Sequence, residues 1–283
     1  MSKISIVFDR LRTEEKMLKK EAAELGHTAV MLDAKITQIS TETKKEDLDL
    51  GDVVLERCVS YFRGLHFTSA LEFLDIPVLN KFDVAHTCGN KMFMTLLLEK
   101  NNIPTPKTYF SFSSESATEN LEKVGYPLVI KPVIGSWGRG VMPIKDKDAM
   151  DAIVEVREIT DSPHDRIYYL QEVVKRPPRD IRAIMVGDKI VAAIYRKSEH
   201  WKTNMALGGT AEPCKVTQEM EEMCIKAKNA VQGDIVGVDL MESEEKGLVV
   251  HEVNNTTEYK NTVRVCDVDI PALMLDYAMK VER

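Results

Sequence analysis

A chain of 283 residues in which 44% of the side chains are hydrophobic can bury a substantial core, and its length suits two small domains or one larger domain of three parts. Its formal net charge of -7 argues against a nucleic-acid-binding protein with a basic surface, because such binding depends on neutralising phosphates. No apolar run is long enough to span a membrane, and the strand-like first segment does not resemble a signal peptide.

Cysteine usage points in the same direction. The five cysteines are scattered and contain no C-x-x-C pair, which is typical of reduced thiols and not of a disulfide framework or a zinc site. We therefore expect a folded, cytoplasmic protein that binds neither nucleic acid nor membrane.

The first eighty residues alternate between short apolar segments and helical patterns. KISIVFD, TAVMLD, DVVLERC and IPVLN are typical of strands, whereas TEEKMLKKEAAELGH, for which Thr13 is the expected N-cap, and GLHFTSALEFLD are typical of helices. This alternation predicts a small doubly wound parallel sheet. A helix from about Lys91 to Asn101 follows, and extended structure resumes in IPTPKTYF because each proline disfavours helix in the residue before it.

The remainder changes character. YPLVIKPVIGSWGRGVMPIKD predicts strand, glycine-rich loop and strand, followed by a helix from Asp148 to about Glu158 and a strand in IYYLQEVVK. Two hairpins come next, one turning at Gly187-Asp188 and one joining DIVGVDLMES to LVVHEVNN, with a helix over residues 218–231 between them. Antiparallel pairs after a parallel sheet predict an α+β catalytic part behind an α/β part.

The segment GSWGRG, residues 135–140, indicates a phosphate-binding flap. Its three glycines let backbone N–H groups approach a phosphate closely, and its position between two strands excludes the Walker and Rossmann loops, which open a helix. An ordinary hairpin loop explains the glycines alone equally well. Lys131 favours the flap, because a lysine just before it can neutralise phosphate oxygens.

Asp239, Glu252 and Asn254 form a candidate magnesium site. Glu252 and Asn254 lie two residues apart on one strand and share a face, while Asp239 lies on the partner strand of the same hairpin. Their hard oxygen atoms suit Mg²⁺, which completes its coordination with water and phosphate. The alternative is that the acids pair with neighbouring arginines or face solvent.

Arg182, Arg196 and Asn204 form a third group. Guanidinium groups stabilise the negative charge that develops on a transferred phosphoryl group, although surface arginines are also common. Lys91 joins this set if the helix that begins there faces the same cleft.

Eight segments taken in chain order resemble the ATP-grasp superfamily, and most closely its RimK-like branch: GNK, VIKP, GSWGRG, YLQEVV, RDIRAIMVG, TNMALGGTAE, GVDLME and HEVNN. The resemblance implies an ATP-grasp fold of the α+β and α/β type. It implies a small parallel pre-ATP-grasp domain in residues 1–86, a central lid domain in residues 87–171 and an antiparallel catalytic domain in residues 172–283.

The same resemblance implies roles for particular residues. It assigns Asp239, Glu252 and Asn254 to two Mg²⁺ ions, and Arg182, Arg196 and Asn204 to the phosphate, the acyl phosphate or the substrate carboxylate. The residues that it assigns to ATP are Lys91, Lys131, Gly135, Ser136, Trp137, Gly138, Arg139, Gly140, Gln171, Glu172, Val173, Val174 and Arg182.

Within that branch, ERCVSYFRGL, KPVIGSWGRG, HWKTNMALGG and EVNNTTEYKNTV resemble the LysX family, which joins α-aminoadipate to the carrier protein LysW in lysine biosynthesis. The related ArgX family uses glutamate, which is one methylene shorter. The pair Asn261-Thr262, where ArgX proteins have Gly-Phe, favours α-aminoadipate. The segment implied to bind the amino acid is Glu258, Tyr259, Lys260, Asn261 and Thr262, together with Arg196 and Asn204.

Three alternatives stay open at this point: the same reaction with glutamate, another RimK-like glutamate ligase, and a nucleotide-binding regulator without turnover. The resemblance also implies an acidic carrier protein as partner and a homodimer or homotetramer. Arg176, Arg179 and the basic residues near the N-terminus are candidates for docking the carrier.

Overall fold

The computed structural model describes residues 2–160, 162–203 and 208–281, and within these ranges it contains three β-sheets. The first sheet is parallel and has the strand order β2-β1-β3-β4, as the alternating N-terminal pattern predicts. Its strands are β1 (Lys3–Phe8), β2 (Thr28–Asp33), β3 (Val53–Glu56) and β4 (Val78–Leu79). Helices α1 (Thr13–Glu24) and α2 (Tyr61–Phe73) accompany this sheet, whereas α3 (Phe82–Gly89) and α4 (Lys91–Lys100) contribute buried side chains to the core of the third sheet.

The start of α1 differs from the prediction. Thr13 is the first helical residue and not the N-cap, which is Arg12. The carboxylate of Glu15 reaches back and accepts a hydrogen bond from the Arg12 backbone N–H at 2.9 Å. The Glu15 side chain, at the third position of the helix, therefore satisfies the backbone N–H of the N-cap residue, as the glutamate of a capping box does.

The second sheet is antiparallel, with the order β5-β8-β6-β7. Its strands are β5 (Thr108–Ser111), β6 (Leu128–Lys131), β7 (Met142–Ile144) and β8 (Tyr168–Glu172). Helices α5 (Ser114–Val124) and α6 (Lys147–Ile159) pack apolar side chains against it, including Leu121 and Met150. The predicted strand, loop and strand around the glycine-rich segment are thus confirmed.

The third sheet has the antiparallel order β11-β10-β9-β12-β13. Its strands are β9 (Arg179–Val186), β10 (Lys189–Lys197), β11 (Thr210–Pro213), β12 (Ile235–Ser243) and β13 (Gly247–Asn254). The helices of this part are α7 (Gln218–Val231), α8 (Lys260–Val265) and α9 (Ile270–Val281). Both predicted hairpins are confirmed.

One hydrophobic cluster joins the two ends of the chain. Ile4 and Ile6 of β1 and Leu18 of α1 share it with Met274 and Leu275 of α9. The parallel sheet is thereby packed against the C-terminal part. The domain limits expected near residues 86 and 171 stay predictions. Across the described ranges, no helix combines the length and the apolar character that a membrane span requires.

Candidate active site

A cleft of about 870 Å³ opens between the three sheets. Strands from two sheets direct charged and polar side chains into it: β6 contributes Lys131, and the third sheet contributes Arg182, Arg196, Asp239, Glu252 and Asn254. The convergence of these side chains on one cleft, on which the sequence interpretation depends, is therefore observed.

Asp239 lies at the centre of an ion-pair network. Its register partners are Arg182 on β9 and Glu252 on β13. Arg182 donates two hydrogen bonds to its carboxylate, at 2.7 and 2.8 Å, and Arg196 approaches to 3.0 Å. Burial by itself raises the pKa of Asp239, but the two guanidinium groups outweigh burial and hold that pKa below its usual value.

A second buried acid fixes the other side of Arg196. Asp180 accepts two hydrogen bonds from Arg196, at 2.6 and 2.9 Å, and also accepts one from the hydroxyl of Thr203. Burial opposes the charge on Arg196, yet Asp239 and Asp180 raise its pKa above the usual value. The guanidinium is therefore permanently charged and held in one orientation, as stabilisation of a developing anion requires.

The candidate metal ligands suit Mg²⁺. Asp239 and Glu252 are cross-strand partners, and Asn254 follows two residues later. The Glu252 carboxylate is held by the Lys91 ammonium at 2.8 Å. The side-chain amide nitrogen of Asn254 is buried and has no hydrogen-bond partner among the described residues. Two carboxylates and an amide supply hard oxygen atoms of the kind that Mg²⁺ prefers. No cluster of three or more His, Cys, Asp or Glu side chains with metal-binding geometry occurs in the described ranges, so the set depends on Asn254 and on oxygen atoms from a ligand.

Lys131 is buried beside two polar side chains. Its ammonium donates to the Gln171 side-chain oxygen at 2.5 Å and lies 2.6 Å from Nε2 of His251. Burial lowers the pKa of Lys131 to about 7, with Lys91 and Arg176 adding repulsion. Burial, followed by the nearby Lys131, also lowers the pKa of His251 well below its usual value, so the neutral imidazole can accept from the lysine.

Two lysines hold the glycine-rich flap over the cleft. Lys91 donates to the carbonyl of Gly135 at 2.8 Å, and Lys202 donates to the carbonyl of Gly138 at 3.1 Å. Gly138 has a φ of +68°, a backbone conformation that residues other than glycine rarely adopt. The Arg139 guanidinium lies 5.0 Å from the centre of the Trp137 ring.

Comparison with known proteins identifies the family. A family profile described as the RimK-like ATP-grasp domain matches residues 88–278, and one described as the LysX preATP-grasp domain matches residues 4–87. This chain belongs to the RimK-like ATP-grasp family. It is an ATP-dependent carboxylate–amine ligase with the ATP-grasp fold, and ATP-grasp ligases use ATP and Mg²⁺.

The α-aminoadipate–LysW ligase LysX of Sulfurisphaera tokodaii is 39% identical over 274 residues, covering 96% of each chain. The glutamate–LysW ligase ArgX of the same organism is 32% identical, covering 97% of each chain. Among solved structures, the RimK domain ATP-grasp protein of Sphaerobacter thermophilus is similar in fold, with a TM-score of 0.78 and 21% identity, covering 98% of this chain and 99% of that chain.

Most of the residues assigned to nucleotide in this RimK-like ligase line the cleft. They are Lys91, Lys131, Gly135, Ser136, Trp137, Gly138, Arg139, Gln171, Glu172, Val173, Val174 and Arg182. Gly140, the last residue of the flap, is not among the lining residues. The backbone N–H of Glu172 donates to the carbonyl of Lys107 at 2.9 Å, so this N–H already has a hydrogen-bond partner within the protein.

Only part of the segment expected to bind the amino acid lines the cleft. Glu258, Asn261 and Thr262 line the cleft, but Tyr259 and Lys260 do not. Tyr259 is fully buried, and its hydroxyl donates to the carbonyl of Glu14 at 2.8 Å. The Tyr259 side chain therefore anchors α1 and does not line the cleft, and a role of this residue in substrate binding stays a prediction. Lys260 is exposed and is not among the lining residues, so its role also stays a prediction. Asn204 lies outside the described residues.

Sequence reasoning missed three cleft residues of this ligase. They are Glu56, Asp180 and His251, to none of which the sequence motifs assign a role. One signal for Glu56 was available: it ends a buried parallel strand, and ligands of α/β sheets bind at the carboxyl ends of strands. No sequence signal identifies Asp180, since its role depends on the register of β9 with β10.

Proposed function

We propose that this ligase joins the α-amino group of α-aminoadipate to the γ-carboxylate of the C-terminal glutamate of an acidic LysW-like carrier protein, as a step of lysine biosynthesis. The observation that carries the proposal is the 39% identity to a LysX protein along 96% of both chains. The cleft supports the same chemistry, because it concentrates cations around a candidate magnesium site.

The charged side chains fit the first half of this reaction. Asp239, Glu252 and Asn254 would hold Mg²⁺, for which we propose two ions, and the bound metal would supply charge neutralisation for the γ-phosphoryl group of ATP. Lys131 binds phosphate oxygens, and Lys91 holds both the flap and Glu252. Arg182 and Arg196 bind the carboxylate that becomes the acyl phosphate. Positioning and charge neutralisation are what phosphoryl transfer requires, so no protein nucleophile takes part.

Selection of α-aminoadipate over glutamate rests on the far end of the cleft. Asn261 and Thr262 line it, and the Thr262 hydroxyl is buried without a partner among the described residues. The two amino acids differ by one methylene, which is worth about 1–3 kcal/mol in a pocket. ArgX-type use of glutamate is the second candidate, supported by 32% identity to an ArgX protein.

A direct ligation assay tests the proposal. Purified protein is mixed with ATP, Mg²⁺, a LysW-type carrier and equal α-aminoadipate and glutamate, and the carrier is weighed by mass spectrometry. We expect the α-aminoadipate adduct to dominate. A glutamate adduct would favour the ArgX-type reaction, and ligation without a carrier would exclude the carrier-dependent function.

The metal assignment has its own test. Glu252→Gln should reduce ligation by about 100-fold or more, because a ligand that neutralises charge during phosphoryl transfer is lost. Circular dichroism checks that the fold persists. Unchanged turnover would exclude Glu252 as a ligand.

We further propose that carrier docking involves Arg176, which lines the cleft, and weakens as salt is raised. Arg179 is a weaker candidate, because Glu242 binds its guanidinium at 2.7 and 2.8 Å.

A cytoplasmic location is supported by five free thiols, and a homodimer or homotetramer stays a prediction.

A further inference from the structure

Glu56 is a buried carboxylate at the edge of the cleft. It is the last residue of β3, is 5% exposed and lines the cleft. Its Oε1 accepts the backbone N–H of Cys58 at 2.6 Å, and its Oε2 accepts the hydroxyl of Thr256 at 3.1 Å. An ionised carboxylate has about four acceptor sites, so capacity for further donors remains.

Glu56 lacks a direct ion-pair partner among the described residues. It forms no ion pair with a side chain in the described ranges, and the neighbouring Arg57 instead binds Glu15 at 3.3 Å and the carbonyl of Thr257 at 2.9 Å. Three other acids that line the cleft are each paired with a cationic side chain: Asp180, Asp239 and Glu252. Burial raises the pKa of Glu56, and the hydrogen bonds from Cys58 and Thr256 together with the charge of Arg57 offset only part of this effect.

A buried carboxylate without a cation is costly, and the cost is removed when a ligand supplies the cation. Glu56 faces the space in which a ligand would sit, so an ammonium group of that ligand is the natural partner. The same ammonium would bring the donors that the remaining acceptor sites of the carboxylate lack.

The surroundings of Glu56 suit the rest of an amino acid. Arg12 lines the same cleft: its guanidinium is paired with Glu15 at 2.8 Å, donates to the carbonyl of Arg57 at 3.0 Å and lies 3.5 Å from Glu258. The hydroxyls of Thr257 and Thr262 are buried without hydrogen-bond partners in the described part of the chain, and both residues line the cleft. This end of the cleft therefore combines a carboxylate, a guanidinium group and two hydroxyls that have no hydrogen-bond partner among the described residues.

We propose that Glu56 binds the ammonium group of the incoming amino acid and accepts its proton, which makes it a catalytic residue for the second half of the reaction. This inference rests on the proposed function. The ammonium gives one proton to the Glu56 carboxylate and becomes a neutral amine. Its lone pair attacks the acyl carbon, the C–N bond forms, and the C–O bond to phosphate breaks. The phosphate leaves with that electron pair and takes the second nitrogen proton.

Glu56→Gln separates this role from a structural one. The amide is nearly the same size, can still accept from the Cys58 N–H and can donate to the Thr256 hydroxyl, but it cannot take a proton. Glu72→Gln is the matched control: Glu72 lies on α2 outside the cleft lining, and its carboxylate also accepts a backbone N–H, that of Phe82, at 2.8 Å.

Two reactions are measured for each protein with ATP, Mg²⁺ and carrier. The first is trapping of the acyl phosphate by hydroxylamine, a neutral nucleophile that needs no base, as the carrier hydroxamate. The second is ligation of α-aminoadipate. We expect Glu56→Gln to retain trapping within about twofold and to lose ligation by about 100-fold or more, as loss of a general base predicts. Glu72→Gln should retain both.

Binding without carrier gives a second readout. Calorimetry compares α-aminoadipate with adipate, which lacks the ammonium group, and glutamate with glutarate. Wild type should bind each amino acid at least about tenfold more tightly than its diacid, and Glu56→Gln should lose that preference, because the charge-assisted hydrogen bond is gone.

The outcomes are distinct. If the wild type ligates neither amino acid to the carrier, the proposed function is contradicted. The calorimetric comparison of each amino acid with its diacid then still tests whether Glu56 binds the ammonium group. Ligation by Glu56→Gln within about threefold of wild type, an equal loss of trapping and ligation, or an unchanged preference for the amino acid would each overturn the inference.

Discussion

At the scale of the residue, the cleft is defined by charges that cannot be tolerated alone. Asp239 needs Arg182 and Arg196, and Arg196 in turn needs Asp180. Removing one member of a buried pair typically costs about 3–5 kcal/mol, because the remaining charge stays buried. Each such residue therefore contributes to stability as well as to the site.

Lys131 should give the free energy of unfolding a distinctive pH dependence. Burial lowers its folded-state pKa from 10.5 to about 7. The cost of burying the charged lysine is therefore complete below pH 7 and disappears as the pH rises toward 10.5. Between these values the unfolded chain binds more protons, so stability should rise by at most about 1.4 kcal/mol per pH unit.

Urea unfolding of wild type and Lys131→Met at pH 7, 8 and 9 measures this contribution. The variant should lack the rise, whereas Lys147→Met, a change at an exposed position on α6, should keep it. Identical slopes in wild type and Lys131→Met would contradict the prediction.

Gly64 permits the close approach of α2 to Glu56. A Cβ at this position would lie 2.7 Å from Oε1 of Glu56 and 3.3 Å from Cβ of Cys58. Gly64→Ala should displace the carboxylate and lower ligation by about tenfold, because misplacement of a reacting group costs rate steeply. Hydroxamate trapping should be nearly unaffected. An equal effect on both reactions would show that the substitution acts on the whole cleft.

At the scale of the element, the flap between β6 and β7 is held by side chains from other parts of the chain. Lys91 reaches it from the first residue of α4, and Lys202 reaches it from the loop after β10. The flap glycines and the lysine before it were recognisable in the sequence. The lysine contacts were not, because they join residues 44 and 64 positions apart.

Lys202→Met should loosen the flap. One hydrogen bond contributes about 1 kcal/mol, so the KM for ATP should rise about fivefold. Trypsin cleavage after Arg139 in the absence of nucleotide should also become faster. Lys147→Met is the control for loss of an exposed lysine, and equal KM values for all three proteins would exclude a role of Lys202 in flap closure.

At the scale of the whole molecule, the last helix completes the core of the first sheet. Leu275 of α9 is fully buried in a cluster with Ile4, Ile6 and Leu18. Leu275→Ala should lower the free energy of unfolding by about 2–5 kcal/mol, as expected when a buried leucine leaves a cavity. Leu273→Ala, at a position that is 38% exposed on the same helix, should cost less than about 1 kcal/mol.

Equilibrium denaturation followed by circular dichroism measures both variants. The same packing predicts that residues 1–86 expressed alone do not form a stable domain, because one of the two hydrophobic clusters that cover their sheet takes more than half of its buried residues from α9 and other C-terminal segments. A cooperative unfolding transition of that fragment would contradict this prediction.

The sequence by itself determined the kinds of elements and the chemistry available. Apolar periodicity placed the parallel sheet, both hairpins and the helix over residues 218–231, because strand and helix patterns are local. The spacing of Glu252 and Asn254 placed both on one face of β13, since side chains alternate along a strand. The motifs indicated the family for the same reason, as each motif is contiguous.

Only the tertiary structure decided which side chains meet. It brought Lys131 of one sheet to His251 of another, buried the Tyr259 side chain against α1, and left Glu56 without an ion-pair partner among the described residues. These outcomes depend on strand register and on packing between segments up to 245 residues apart. Local pattern carries no information about such contacts, because the free energy that selects them arises when distant segments exclude water together.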